Sequence, residues 1–175
     1  MKTVSELTTS RCVLRQIAIE DFPLLSQTMQ DEQSQLYLPE LYDIVKTEEG
    51  LLQCVSSFKT YLHQDEGILW GIYAKENFIG FIALMDISAA PSVFYALHPL
   101  HRKHGYMKEC LKEVISFLFN NYLCSYLQTE VYENNAASLN ILYASGFRVV
   151  KYEKGKVYLR KGAVSDNVIS KIELA

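Results

Sequence analysis

The residues from His98 to Lys108 carry most of what this sequence offers a ligand. They read His98-Pro99-Leu100-His101-Arg102-Lys103-His104-Gly105-Tyr106-Met107-Lys108, and no Asp or Glu occurs between Ile87 and Lys108. An apolar strand candidate precedes them and a long amphipathic helix candidate follows. A strand-to-helix turn exposes backbone N–H groups at the positive end of a helix dipole, a ready place for a phosphate. Gly105 lets the main chain approach such an anion closely, and Arg102, Lys103 and Lys108 add positive charge. The turn is not a P-loop, since G-x-x-x-x-G-K-S/T is absent, nor a dinucleotide fingerprint, since it holds one glycine. On these residues alone, an ordinary turn with a solvated basic face stays open.

His98, His101 and His104 recur every three residues. Pro99 keeps them off a single helical face, and no nearby carboxylate or cysteine completes a ligand set, so no metal is expected. Cys12, Cys54, Cys110 and Cys124 form no C-x-x-C pair and sit in apolar patterns, which predicts reduced, mostly buried thiols.

Those residues need a scaffold, and 175 residues suit one domain. With 49% hydrophobic and 21% charged residues the chain reads as a folded protein, not a disordered one. The expected division is a domain over 1–162 and a polar tail over 163–175, where Val168, Ile169, Ile172 and Leu174 could dock as a short helix. A net charge of -3 argues against nucleic acid or an anionic membrane as partner. The segment Met1–Glu6 lacks the apolar core of a signal peptide. No apolar run approaches the ~20 residues that span a bilayer. A cytoplasmic protein is expected.

Periodicity predicts the elements in order. A strand covers 11–16, and Asp21-Phe22-Pro23 opens a helix with Asp21 as cap. Residues 31–46 read as irregular. Thr47-Glu48-Glu49 starts a second helix, with Leu51, Val55, Phe58 and Leu62 at helical spacing. Strands follow at 68–75, 78–86 and 92–98, the first two as a hairpin through Lys75-Glu76-Asn77. A long helix spans 105–122, with Met107, Cys110, Leu111, Val114 and Leu118 as its buried stripe. A strand at 125–132, a helix at 135–145 capped by Gly146, and strands at 147–153 and 157–161 close the domain. This α/β order predicts a mixed sheet with helices on its faces, not a doubly wound parallel sheet.

Three motifs lie along these elements. Arg102-Lys103-His104-Gly105-Tyr106-Met107 resembles the pyrophosphate motif Q/R-x-x-G-x-G/A of the GNAT acetyltransferase superfamily. Leu97-His98-Pro99 and Gly105-Tyr106-x-x-Glu109 are similar to its ribosomal-protein N-terminal acetyltransferase version. Asn135-Ala136-Ala137-Ser138 with Gly146-Phe147 resembles the family's N-x-x-S helix ending in G-F. Arg11-Cys12-Val13-Leu14-Arg15 with Glu20-Asp21 resembles its opening strand and first helix. Together they cover about residues 9–153.

The resemblance implies the GNAT fold, a central, mostly antiparallel sheet with helices on both faces. Its fourth and fifth strands, here 92–98 and 125–132, splay apart around coenzyme A. Pantetheine would pair with backbone near Ala96, Leu97 and His98. Pyrophosphate would sit on the amides of Arg102, Lys103, His104, Gly105, Tyr106 and Met107. Asn135 and Ser138 would face the pantetheine and thioester end. The implied reaction moves an acetyl group from acetyl-coenzyme A to a primary amine by direct attack, with a backbone N–H near Leu97 or His98 on the developing oxyanion. The alternative is a module of the same fold that binds acyl-coenzyme A without turnover.

Ser138 is the candidate proton donor to the leaving thiolate, against a plain hydrogen bond within its helix. His98, at the strand end, is a candidate base. The last motif position holds Met107 instead of Gly or Ala, and its place in the helix stripe points it into the core. The family's strand acid aligns with Ser92 and its tyrosine acid with Leu142. The adjacent Tyr143, rotated ~100° along the helix, is expected in the core. In the family the segment flanked by Asp31, Glu32, Glu40 and Asp43 borders the acceptor groove, so the resemblance implies acids that attract a cationic amine; a plain solvated loop stays open. Without a strong base, an α-amino group (pKa ~7.7–8.0) suits the site better than a lysine (~10.4). The expected partners are therefore acetyl-coenzyme A and an amine acceptor, either a protein N-terminus or a small molecule; a homodimer is allowed for.

Overall fold

Alternating apolar strands and amphipathic helices build one mixed sheet in the computed structural model of the chain, which describes residues 2–163. The proposed docking helix of the tail lies outside the described residues. In chain order the strands are β1 (Leu7–Thr8), β2 (Val13–Arg15), β3 (Gly67–Ala74), β4 (Asn77–Met85), β5 (Ser92–Leu97), β6 (Tyr126–Tyr132), β7 (Arg148–Glu153) and β8 (Lys156–Gly162). The helices are α1 (Phe22–Met29), α2 (Glu32–Tyr37), α3 (Pro39–Val45), α4 (Glu48–His63), α5 (Tyr106–Asn121) and α6 (Ala136–Ala144). The sheet order is β1-β2-β3-β4-β5-β6-β8-β7. Every neighbouring pair is antiparallel except β5 and β6, which are parallel.

Two apolar clusters sandwich the sheet. On one face, Leu14, Trp70, Ile82 and Leu84 pack with Cys110, Leu111, Val114 and Leu118 of α5 and Leu142 of α6. On the other, Leu25 and Met29 of α1 and Leu51 and Val55 of α4 cover Tyr73, Phe81 and Ala96. The α5 stripe is the expected one, and Met107 is buried within it.

Several expectations change. The opening strand shrinks to Val13–Arg15 and gains a partner in β1. The segment 31–46 is helical, as α2 and α3, with Asp31 capping α2 through Gln33 N–H (3.1 Å) and Pro39 in the first turn of α3. Asp21 makes no cap bond at α1; its carboxylate accepts from the Tyr73 hydroxyl at 2.9 Å instead. Tyr143 is 47% exposed while Leu142 takes the core position, so the one-residue rotation turns the phenol outward. Cys12 and Cys110 are buried, Cys54 and Cys124 half-buried, and all four are free thiols.

Candidate active site

The parallel strands supply the site because they barely pair. Their ladder has the single pair Ser92↔Gln128. It is reinforced at that end by Gln128 N–H on Pro91 O (2.9 Å) and by Thr129 Oγ1 on Val93 O (2.9 Å). Beyond it β5 and β6 part. His98 N–H bonds back to Ile79 O at 2.9 Å, and alternation along the antiparallel β4–β5 ladder then turns the backbone of Tyr95 and Leu97 toward the gap. Of the two N–H groups singled out from the sequence, that of His98 is bonded within the sheet and that of Leu97 faces the gap. The same alternation turns the Ala96 backbone toward β4.

Gly80 fixes the height of β5 against β4. A Cβ there would lie 2.3 Å from Ala96 O, so only a residue without one lets the strands approach this closely.

The gap opens into a cavity of about 650 Å³. Of the residues singled out from the sequence, Ala96, Leu97, Arg102, Lys103, Gly105, Tyr106, Met107, Asn135 and Ser138 line it. His98 and His104 do not. His98 Nδ1 instead accepts from Leu100 N–H (3.4 Å), capping the short turn after β5. His104 lends its main chain, its carbonyl accepting from Arg11 Nη1 at 2.9 Å.

The turn before α5 has the geometry of an anion seat. Lys103 (φ 64°) and Gly105 (φ 81°) both adopt left-handed backbone, strained for the lysine and natural for the glycine. The first backbone bond of the helix runs from Glu109 N–H to Gly105 O at 3.2 Å. The amides of 103–108 are left without a backbone acceptor among the described residues. The opening-strand motif holds this turn in place. Arg11 donates to Glu109 through Nε (2.8 Å) and its backbone N–H (2.8 Å), and Thr9 bonds the same carboxylate. Burial would raise the Glu109 pKa, but these bonds outweigh it and hold the carboxyl at about 2.

Arg102 is not a loose phosphate ligand. Its Nε donates to Leu97 O (2.9 Å), and its two terminal nitrogens clamp Asp31 at 2.8 and 2.7 Å. Asp31 also accepts from Ser34 Oγ at 2.6 Å. These bonds overcome burial and lower the Asp31 pKa to about 2. Of the four acids expected to flank an acceptor, Asp31 is therefore used internally. Asp43 pairs with Lys46 at 2.7 Å, and Glu40 lines the groove described next.

At the far end, Asn135 caps α6 by accepting from Ser138 N–H (3.2 Å). Ser138 Oγ lies 2.9 Å from the Tyr95 hydroxyl. Burial pushes that phenol up to about 12, against a small lowering by the Ser138 bond. A second cavity, about 530 Å³, meets the first at Tyr37, Leu38, Phe94, Thr129 and Glu130. Glu130 and Tyr95 were missed in the sequence. Alternation sets Gln128, Glu130 and Tyr132 on one face of β6, and that period-2 signal was the available clue.

The family model for the acetyltransferase (GNAT) domain matches residues 11–148. The chain belongs to the GNAT acetyltransferase family. Over 166 residues it is 27% identical to the uncharacterized N-acetyltransferase YoaA of Bacillus subtilis (strain 168), covering 87% of this chain and 91% of that one. A GNAT-family acetyltransferase from Bacillus anthracis superposes with a TM-score of 0.76 at 15% identity, over 91% of this chain and 99% of that one. RimL, a ribosomal L7/L12 alpha-N-protein acetyltransferase in complex with coenzyme A, superposes at 0.78 and 14% identity, over 90% and 98%. These likenesses establish the GNAT fold for the mixed sheet described here.

Proposed function

We propose that this GNAT protein is an N-acetyltransferase that moves an acetyl group from acetyl-coenzyme A to a primary amine, on a protein N-terminus or a small molecule. The observation that carries the reading is one continuous cavity. It runs from the free amides ahead of α5, along the parted edges of β5 and β6, to Ser138 and Glu130.

In this reading the amides of 103–108 hold the pyrophosphate, with Lys103 and Lys108 adding charge. The Tyr95 backbone pairs with pantetheine. An acceptor amine enters from the second cavity past Tyr37 and Phe94, and the Glu130 carboxylate, one oxygen of which Lys156 holds at 2.6 Å, takes its proton on the other. The amine nitrogen attacks the thioester carbonyl, whose developing negative charge falls on Leu97 N–H. The C–S bond breaks, and Ser138 Oγ donates a proton to the departing sulfur while taking one from solvent; Glu130 gives its proton back to solvent, so both groups are restored. Tyr95, a protonated phenol near neutral pH, supports that serine. In balance, one amide C–N bond replaces one thioester C–S bond, and a proton moves from nitrogen to sulfur.

The test is thiol release by the purified chain with acetyl-coenzyme A and a panel of amines. Release with at least one amine is expected, along with a raised melting temperature in acetyl-coenzyme A alone. A raised melting temperature with no thiol from any amine would make the protein a non-catalytic acyl-coenzyme A module. Neither response would sink the reading.

A further inference from the structure

The second cavity says something about the body of the acceptor, beyond its amine. It lies on the face of β6, β8 and β7 beside α2 and α3, whose Tyr37 and Glu40 help to line it. Its walls carry three cations, Lys151, Lys156 and Arg160, against two acids, Glu40 and Glu130. That is a locally basic groove in a chain of net charge -3. Tyrosines 37, 132 and 158 and Phe94 supply its apolar surface.

The cations are not equivalent. Lys156 Nζ is bound to Glu130 Oε1 at 2.6 Å, and Lys151 Nζ to Glu153 Oε2 at 2.8 Å. Arg160 has no carboxylate within ion-pair distance among the described residues. Its guanidinium stacks on the Tyr126 ring, 4.3 Å from the centroid, which orients the donors without using them. Such a fork suits a planar carboxylate.

Register places this charge relative to the chemistry. Tyr158 stands opposite Glu130 and Arg160 opposite Gln128. Two residues along a strand separate the positions by ~7 Å. Glu130 borders both cavities, where the amine must react, whereas Arg160 lines only the outer one. An acceptor lying along this floor meets an acid at its amine end and a guanidinium at its other end.

Resting on the transferase reading above, we infer that the acceptor is a primary amine bearing a carboxylate ~7 Å away, two residues' length along a strand, which Arg160 binds. The chemistry is shared by an acidic amino acid or dipeptide and by a protein N-terminus with an acidic residue in its first positions.

The experiment measures thiol release with acetyl-coenzyme A and four acceptors. Three are amidated tetrapeptides that begin with serine and continue with two glutamates, two glutamines or two lysines. The fourth is the free dipeptide Ser-Glu. The acidic tetrapeptide or the dipeptide is expected to exceed the glutamine peptide about tenfold in kcat/KM, and the lysine peptide to fall below it. Which acidic acceptor dominates separates a protein N-terminus from a small molecule. The preference is expected to shrink as salt rises from about 0.05 to 0.5 M, because the guanidinium is exposed. Arg160→Gln should collapse the acidic-to-neutral ratio toward one, and Arg160→Lys should retain part of it. Equal use of acidic and neutral acceptors, a basic preference, or a ratio unchanged in Arg160→Gln overturns the inference and leaves the transferase intact. No thiol release with any acceptor, these four or the wider amine panel, overturns both.

Discussion

Ser138 sits where a helix N-terminus, a buried phenol and the inner end of the cavity meet. Two separate bonds fix it, its N–H to Asn135 and its hydroxyl to Tyr95. If Ser138 gives its proton to the thiolate, Ser138→Ala lowers kcat by about a hundredfold, the low end for general acid catalysis, with the KM for acetyl-coenzyme A little changed. Tyr95→Phe keeps the ring and removes only the hydroxyl, so it should cost less than Ser138→Ala, and the double variant should be no worse than Ser138→Ala alone. Additive losses in stopped-flow thiol release would show that the two do not act as a unit. Gly105, Asn135 and Ser138 could be picked from the sequence because their types suit local backbone: a left-handed turn, a cap, a helix start. Glu130 could be placed only on a face: strand alternation groups it with Gln128 and Tyr132 without saying which face meets a cavity. Arg102 was legible as a charge but not as a clamp, since its partner Asp31 lies 71 residues away.

Helices α4 and α5 were readable because each buries a stripe recurring every three or four residues. Helices α2 and α3 were not. They span six and seven residues, too short for a stripe to declare itself, and Pro39 reads as a breaker although it is favoured in a helix's first turn. What secures α2 is tertiary. Asp31 and Arg102 pin its start to the end of β5, and the Tyr37 hydroxyl donates to Asn134 O at 3.3 Å beyond β6. The short helix thus bridges the two strands that part. Asp31 and Glu109 both hold folded pKa values of about 2, below the ordinary carboxylate range. Depressed values contribute stability that is complete above an unfolded pKa near ~4 and is lost as pH falls toward 2. Asp31→Asn is therefore expected to lower stability near neutral pH and to flatten its decline between about pH 4 and 2. Urea titrations across that range would register this, and a decline as steep as in the parent would count against the clamp.

Across the whole molecule, the sheet is two antiparallel blocks, β1–β5 and β6-β8-β7, meeting at one ladder pair. Cofactor threaded along that junction would bond both blocks at once and favour the folded state by mass action, ~2.7 kcal/mol at a hundredfold excess over Kd. Amide hydrogen exchange should then slow on β5 and β6 together, and at the start of α5, when acetyl-coenzyme A is added. Slowing confined to α5 would indicate that only the phosphates are held.

The junction also makes the chain divisible. Leu123, between the last turn of α5 and β6, is wholly exposed, and the strands on either side of it complete separate ladders. Severed at that bond, the polypeptide would yield two fragments, each with its own hydrogen-bonded sheet and each carrying one wall of the binding cleft. Their reassembly would depend on shared side-chain packing and on the molecule lodged between them, so the small ligand would act as the mortar of a two-piece protein.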